Sequence, residues 1–217
     1  MDDESRQQAE QWAGDATAQV IDWTWRGFDA LKANMLSQVD FSQPLEQVER
    51  DLTSKHFVEI QRIFGSDTDG FSSIIPHHEF PENETRPGGC GKPPASDISF
   101  VWYENQRVTW PIEAKVVPTT GTLAEYVKDT AKFTGGVAAP FVGEGAQIAY
   151  LLTGTPDEFF SNLNARISIT LQEVPEFSDR PHRVSFHARA PAPSLRLHHM
   201  AMFCGSNKED SLRRLEQ

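Results

Sequence analysis

Residues 97–115, DISFVWYENQRVTWPIEAK, constrain the fold more than any other part of the chain. Residues 97–103 are rich in β-branched and aromatic side chains and read as a strand. Residues 104–107, Glu-Asn-Gln-Arg, form a polar turn, and residues 108–117 read as the next strand. Side chains alternate along a strand, so Glu113 and Lys115, two positions apart, leave the same face. Ile112, Val116 and Val117 surround them with apolar surface. Of the seven lysines, only Lys115 has an acid two residues earlier.

The flanking segments supply what such a hairpin needs to become a sheet. Residues 72–80 read as a first strand, with His77, His78 and Glu79 near its end. Residues 122–133 read as a helix, which Thr122 caps with Glu125 in a capping box. Residues 146–153 read as a buried strand. A strand–helix–strand crossover of this kind calls for a mixed α/β sheet. Before the sheet, residues 4–37 read as one long helix with Ala16, Val20, Trp23, Gly27, Leu31 and Met35 at helical spacing. Trp23 and Trp25 fall on different sides of that helix, so one is expected to be exposed. Pro44 starts a second helix over residues 45–64, with Leu45, Val48, Leu52, Ile60 and Ile63 on its apolar face. Glu49, His56 and Glu59 lie on or beside that face, and His56 reads as a satisfied core histidine. Residues 155–167 read as a helix. Residues 184–189 and 195–203 read as strands.

Asp97 followed by Glu113-Ala114-Lys115 resembles the core of the PD-(D/E)xK nuclease superfamily, over residues 45–155. Ser96 stands where that pattern has proline. The resemblance implies a restriction-endonuclease-like fold. Its mixed sheet would be flanked by helices, with a helical extension over 1–40, a nuclease-like domain over 41–205 that includes a C-terminal β extension, and a flexible tail over 206–217. It implies a metal-dependent nuclease, endo- or exonucleolytic, with DNA the expected substrate and a subunit role in bacterial anti-phage defence. Asp97, Glu113 and Lys115 would be catalytic. Asp97, Glu113 and the Ala114 carbonyl would hold Mg²⁺ or Mn²⁺. Glu59, with Glu49 as the alternative, and Glu79 are further candidate ligands. Lys128 and Lys132, one turn apart on the helix after the motif, are candidate contacts to substrate phosphates. Arg86 and Lys92 in the Pro- and Gly-rich loop 81–94 are candidates for the same role.

Charge sets limits on this reading. The 217 residues carry a net charge of −11. Residues 1–51 hold 11 acids against 4 bases, and the remainder 20 against 16. Phosphate contacts supply most of the affinity for nucleic acid, so this balance argues against tight DNA binding by the isolated chain. A protein partner or homo-oligomer is therefore expected, with the acidic, aromatic N-terminal helix as its docking element. The segment 180–199 holds four arginines, four histidines and no acid, and is the candidate basic patch. The different-class alternative is a catalytically inactive scaffold that keeps the nuclease fold and binds a protein. The loop around Gly88 lacks the spacing of a phosphate loop, and residues 65–70 lack the ligand pattern of an EF-hand. Two cysteines make no disulfide framework. The polar N-terminus and the absence of a long apolar run point to the cytoplasm, with no membrane association.

Overall fold

The run Glu144–Leu151 is buried along nearly its whole length, which demands cover on both faces of its sheet. The computed structural model describes residues 3–67, 73–81, 95–167 and 169–205. In it this run is β4, the central strand of a seven-stranded mixed sheet. Helices α1 (Asp3–Asn34) and α2 (Leu45–Asp67) precede β1 (Ile74–Pro81), β2 (Ala95–Trp102) and β3 (Thr109–Val117). Then come α3 (Ala124–Thr134), β4, α4 (Pro156–Ile167), β5 (Gln172–Glu173), β6 (His182–His187) and β7 (Leu195–Phe203). The strand order is β1-β2-β3-β4-β7-β6-β5. The pairs β3/β4 and β4/β7 are parallel, and the remaining neighbours are antiparallel. The architecture is α/β, a mixed sheet flanked by helices.

Alternation along β4 divides the core. Ala146, Ile148 and Tyr150 join the larger cluster with residues of α1 and α2. Ala149 and Leu151 join the smaller one with Tyr126 of α3 and Phe159, Phe160 and Leu163 of α4. The α4 start expected from sequence forms, with Thr155 N–H donating to Glu158 Oε2 at 2.9 Å and Glu158 N–H to Thr155 Oγ1 at 3.3 Å. At α3 the expected capping box does not. The helix begins at Ala124 without a side-chain cap, and the Thr122 hydroxyl pairs with Thr119 instead.

Three expectations are refined. First, α1 is a wall of the core. Trp12, Trp23, Trp25, Phe28 and Leu31 of α1 are all buried, so neither Trp23 nor Trp25 is exposed. At Gly27 α1 and α2 approach closely, because a Cβ there would lie 2.6 Å from Ile60 Cγ1. The His56 Nε2–H donates to the Thr24 carbonyl at 2.8 Å, which leaves Nδ1 to accept from the Tyr150 hydroxyl at 2.8 Å. That side chain therefore ties α1, α2 and β4 together, as a satisfied core histidine should. Second, the C-terminal β extension continues the main sheet, since β7 lies directly against β4. Third, α2 runs past Gly65 to Asp67, whose carboxylate takes Arg26 and the Trp23 Nε1–H of α1.

The segment 180–199 is not a free basic patch either. Arg180 pairs with Asp29, and Arg183 with Glu173. Arg189 donates to the carbonyls of Phe133, Ala138, Val142 and Pro193, holding the end of α3 against the strands. His182, His198 and His199 are fully buried, and burial drives all three far below the ordinary histidine range. Among the described residues no helix is long and apolar enough to cross a membrane. The expected tail beyond residue 205 and the loop carrying Arg86 and Lys92 lie outside them.

Close approach at Gly27 carries a mutational consequence. Gly27→Val must push α2 away from α1 or displace Ile60, so it should lower unfolding free energy by about 2 kcal/mol in urea denaturation. Wild-type stability in that variant would mean the two helices do not meet as described.

Candidate active site where β2 leaves β3

The site arises from a break in the sheet. β2 stays paired with β1 down to Ala95, but its pairing with β3 ends at Ile98 and Ile112. Beyond that point the β3 main chain loses its partner on one side. Buried N–H groups without partners cost free energy, so the fold must supply acceptors. Two carboxylates do so. Asp97 Oδ2 accepts from Ala114 N–H at 2.7 Å, and Glu49 Oε2 accepts from Val116 N–H at 3.0 Å. Glu49 comes from α2, across the opening that β2 leaves.

Side chains of β3 and α3 complete the cluster. Lys115 Nζ lies 2.6 Å from Glu49 Oε1 and 3.4 Å from Asp129 Oδ2. Lys132 Nζ lies 2.9 Å from Glu113 Oε2 and 2.8 Å from Asp129 Oδ1. Asp97, Glu113 and Lys115 therefore share one neighbourhood, as the hairpin reading required. Glu113 and Asp129 are buried, whereas Lys115 and Glu49 are partly exposed.

Charge is unbalanced here. Burial, then repulsion from Asp97, pushes the Glu113 carboxyl up to about 8 despite the ammonium of Lys132. Asp97 is also raised, mainly by burial, with the Ala114 N–H pulling the other way. Burial opposes the Lys115 ammonium, but its hydrogen bond and charge interaction with Glu49 outweigh that and hold it above the ordinary lysine value. Four acids, Glu49, Asp97, Glu113 and Asp129, meet only two ammonium groups, so the place is short of positive charge. Among the described residues no group of three His, Cys, Asp or Glu side chains is arranged to hold a metal ion. Mg²⁺, however, retains waters and needs only one or two protein carboxylates, so the hard oxygens of Asp97 and Glu113 fit it.

The other candidates separate. Glu59 is not in this cluster. It is buried beside α1, where Arg62 at 2.8 Å and Asn34 at 3.4 Å engage it. Ten residues on a helix turn a side chain by nearly three turns and carry it ~15 Å along the axis, so Glu49 and Glu59 cannot serve one site. Of the two, Glu49 is the carboxylate that α2 supplies. Lys128 is exposed and pairs with Glu125, away from the cluster. Glu79 is exposed and has a positive φ of 50°. It sits where the β1/β2 register skips opposite Asp97. With Glu46, Glu49, Arg50, Thr53, His78, Asp97 and Lys115 it lines a cleft of about 330 Å³. Asp129, which bridges both lysines, escaped the sequence reading. Its signal was position, an acid between Tyr126 and Phe133 on the buried stripe of α3.

A larger cleft of about 660 Å³ lies at the other end of β4 and β7, lined by Glu10, Glu144, His187 and Arg196 among others. Burial raises Glu144 there to about 7, and its carboxylate meets His198 Nε2 at 3.1 Å. It contains none of the Asp97, Glu113 and Lys115 set. Asp97 and Lys115 line the smaller cleft instead.

The Glu113 shift has a definite sign. Below about pH 4.5 folded and unfolded chains both hold the proton. Between there and about 8 the unfolded chain releases it first, so stability falls as pH rises through that window. In metal-free buffer Glu113→Gln should melt higher than wild type at pH 8, by on the order of 2 kcal/mol, with little difference at pH 5. Equal melting at pH 8 would show that Glu113 ionises without strain. No protein family, curated protein or solved structure matches this chain.

Proposed function

We propose that the chain is a metal-dependent nuclease of the PD-(D/E)xK kind, hydrolysing phosphodiester bonds in nucleic acid, with DNA the expected substrate. The observation that carries this reading is the joint presence of Asp97, Glu113 and Lys115 where β2 parts from β3. The element order α2-β1-β2-β3-α3-β4, with β3 and β4 parallel, supports it, because that is the order a restriction-endonuclease-like core requires.

Asp97 and Glu113 would hold Mg²⁺ or Mn²⁺, with the Ala114 carbonyl as a further oxygen donor. When bound, the ion acidifies water and neutralises charge on the phosphate. The chain's own residues supply the rest. Glu49 fixes the Lys115 ammonium by one oxygen and the β3 backbone by the other, so the lysine is held in place before substrate arrives. Lys115 orients the attacking water and offsets charge developing on the phosphate oxygens. Asp129 spaces the two ammonium groups. A protein partner or oligomer remains part of the reading on charge grounds, since a chain at −11 gains little from counterion release. The buried face of α1 is not available for that contact.

The test is incubation with plasmid, linear and single-stranded substrates in Mg²⁺ or Mn²⁺. Wild type should cleave at least one of them. Lys115→Ala should lose at least ~10²-fold in rate while keeping the wild-type far-ultraviolet dichroism spectrum, because the group acts on the transition state. Undiminished cleavage by Lys115→Ala would remove the assigned role. No cleavage of any substrate by wild type, with protein binding retained, would favour the inactive scaffold.

A further inference from the structure

Lys132 differs from the other members of the site. Its side chain is 41% exposed, yet its ammonium turns inward onto two carboxylates whose side chains are 6% and 4% exposed. An ammonium at hydrogen-bond distance from two buried carboxylates has the geometry of a counter-ion. One of those carboxylates, Glu113, is also half of the oxygen pair that fits a divalent cation. An ion approaching Asp97 and Glu113 therefore meets a like charge one hydrogen bond away, and at such separations repulsion is substantial.

Lys132 also has somewhere to go. Its stem is flexible and partly exposed. Asp129 lies three residues earlier on α3 and remains a partner after Glu113 is released. Lys115 has no such freedom. It is held by Glu49 and Asp129 together, and Glu49 is itself fixed to the Val116 N–H.

We propose that Lys132 is an internal counter-ion, filling the charge deficit beside Asp97 and Glu113 in the metal-free protein and displaced from Glu113 when a divalent cation binds. This rests on the reading of Asp97 and Glu113 as the cation site. Displacement frees the ammonium, still tethered by Asp129, to take a substrate phosphate as its next partner. Contact between Lys132 and phosphate then depends on the metal having bound first.

The test is calorimetric titration with Mg²⁺ in the absence of nucleic acid, at pH 9, above the value of about 8 for Glu113 in the wild-type chain. Wild type, Lys132→Met and Lys132→Arg are compared, each checked for an unchanged far-ultraviolet dichroism spectrum. Removing the competing charge should tighten Mg²⁺ binding by roughly tenfold in Lys132→Met. Keeping the charge should leave Lys132→Arg within about twofold of wild type. If wild type binds Mg²⁺ and Lys132→Met binds it no more tightly, the counter-ion role is overturned and the cation site stands. If none of the three binds Mg²⁺, both are overturned.

Discussion

The loss of β2–β3 pairing beyond Ile98 and Ile112 is the constraint on which the site depends. A sheet that opened there without compensation would leave the Ala114 and Val116 N–H groups buried and unpaired, a cost of ~1–3 kcal/mol each. Asp97 and Glu49 remove that cost, and in doing so their carboxylates become fixtures of the backbone. The opening also lets a helix from one face meet a β3 side chain that pairs with a helix on the other. Lys115 touches Glu49 of α2 and Asp129 of α3 for this reason. The position of Glu49 in turn depends on α2 seating against α1 at Gly27 and on the His56 link to Thr24 and Tyr150. The long N-terminal helix is thus part of the machinery that positions the site, though it contributes no residue to it.

Electrostatics set this region apart from a balanced ion-pair network. Four carboxylates (Glu49, Asp97, Glu113, Asp129) meet two ammonium groups (Lys115, Lys132). Asp97 and Glu113 resist ionisation, whereas both lysines are held above their ordinary value. Apolar side chains of similar volume often serve stability as well as such a cluster does. An acid excess beside an open cleft lined by Glu49, Asp97 and Lys115 fits a region that is completed by a cation from outside.

Much of this was legible in the sequence, for physical reasons that differ by element. The hairpin was readable because β-branched and aromatic runs flank a polar turn, and period-two alternation fixes which side chains share a face. β4 and β7 were readable as apolar runs, and α4 from its capping residues. Glu49 and Glu59 could not be separated, because choosing between them needs the rotation of α2 about its axis relative to the opening in the sheet. That rotation is set by packing at Gly27 and Ile60, which lie 33 residues apart in sequence. The basic look of residues 180–199 misled for a related reason. Charge counted along the chain says nothing about partners such as Asp29, 151 residues before Arg180, or the Phe133, Ala138 and Val142 carbonyls that Arg189 takes. Asp129 was hidden because an acid on a helix normally reads as solvated, and only its position between buried neighbours says otherwise.

The central claim is that Asp97 and Glu113 form a divalent-cation site at this opening. The most direct measurement is an anomalous difference map from a crystal of the protein grown with Mn²⁺. The account predicts a peak within bonding distance of both carboxylates, with the Lys132 ammonium withdrawn from Glu113. A well-ordered crystal with no peak there, or with Mn²⁺ bound only elsewhere, would contradict it.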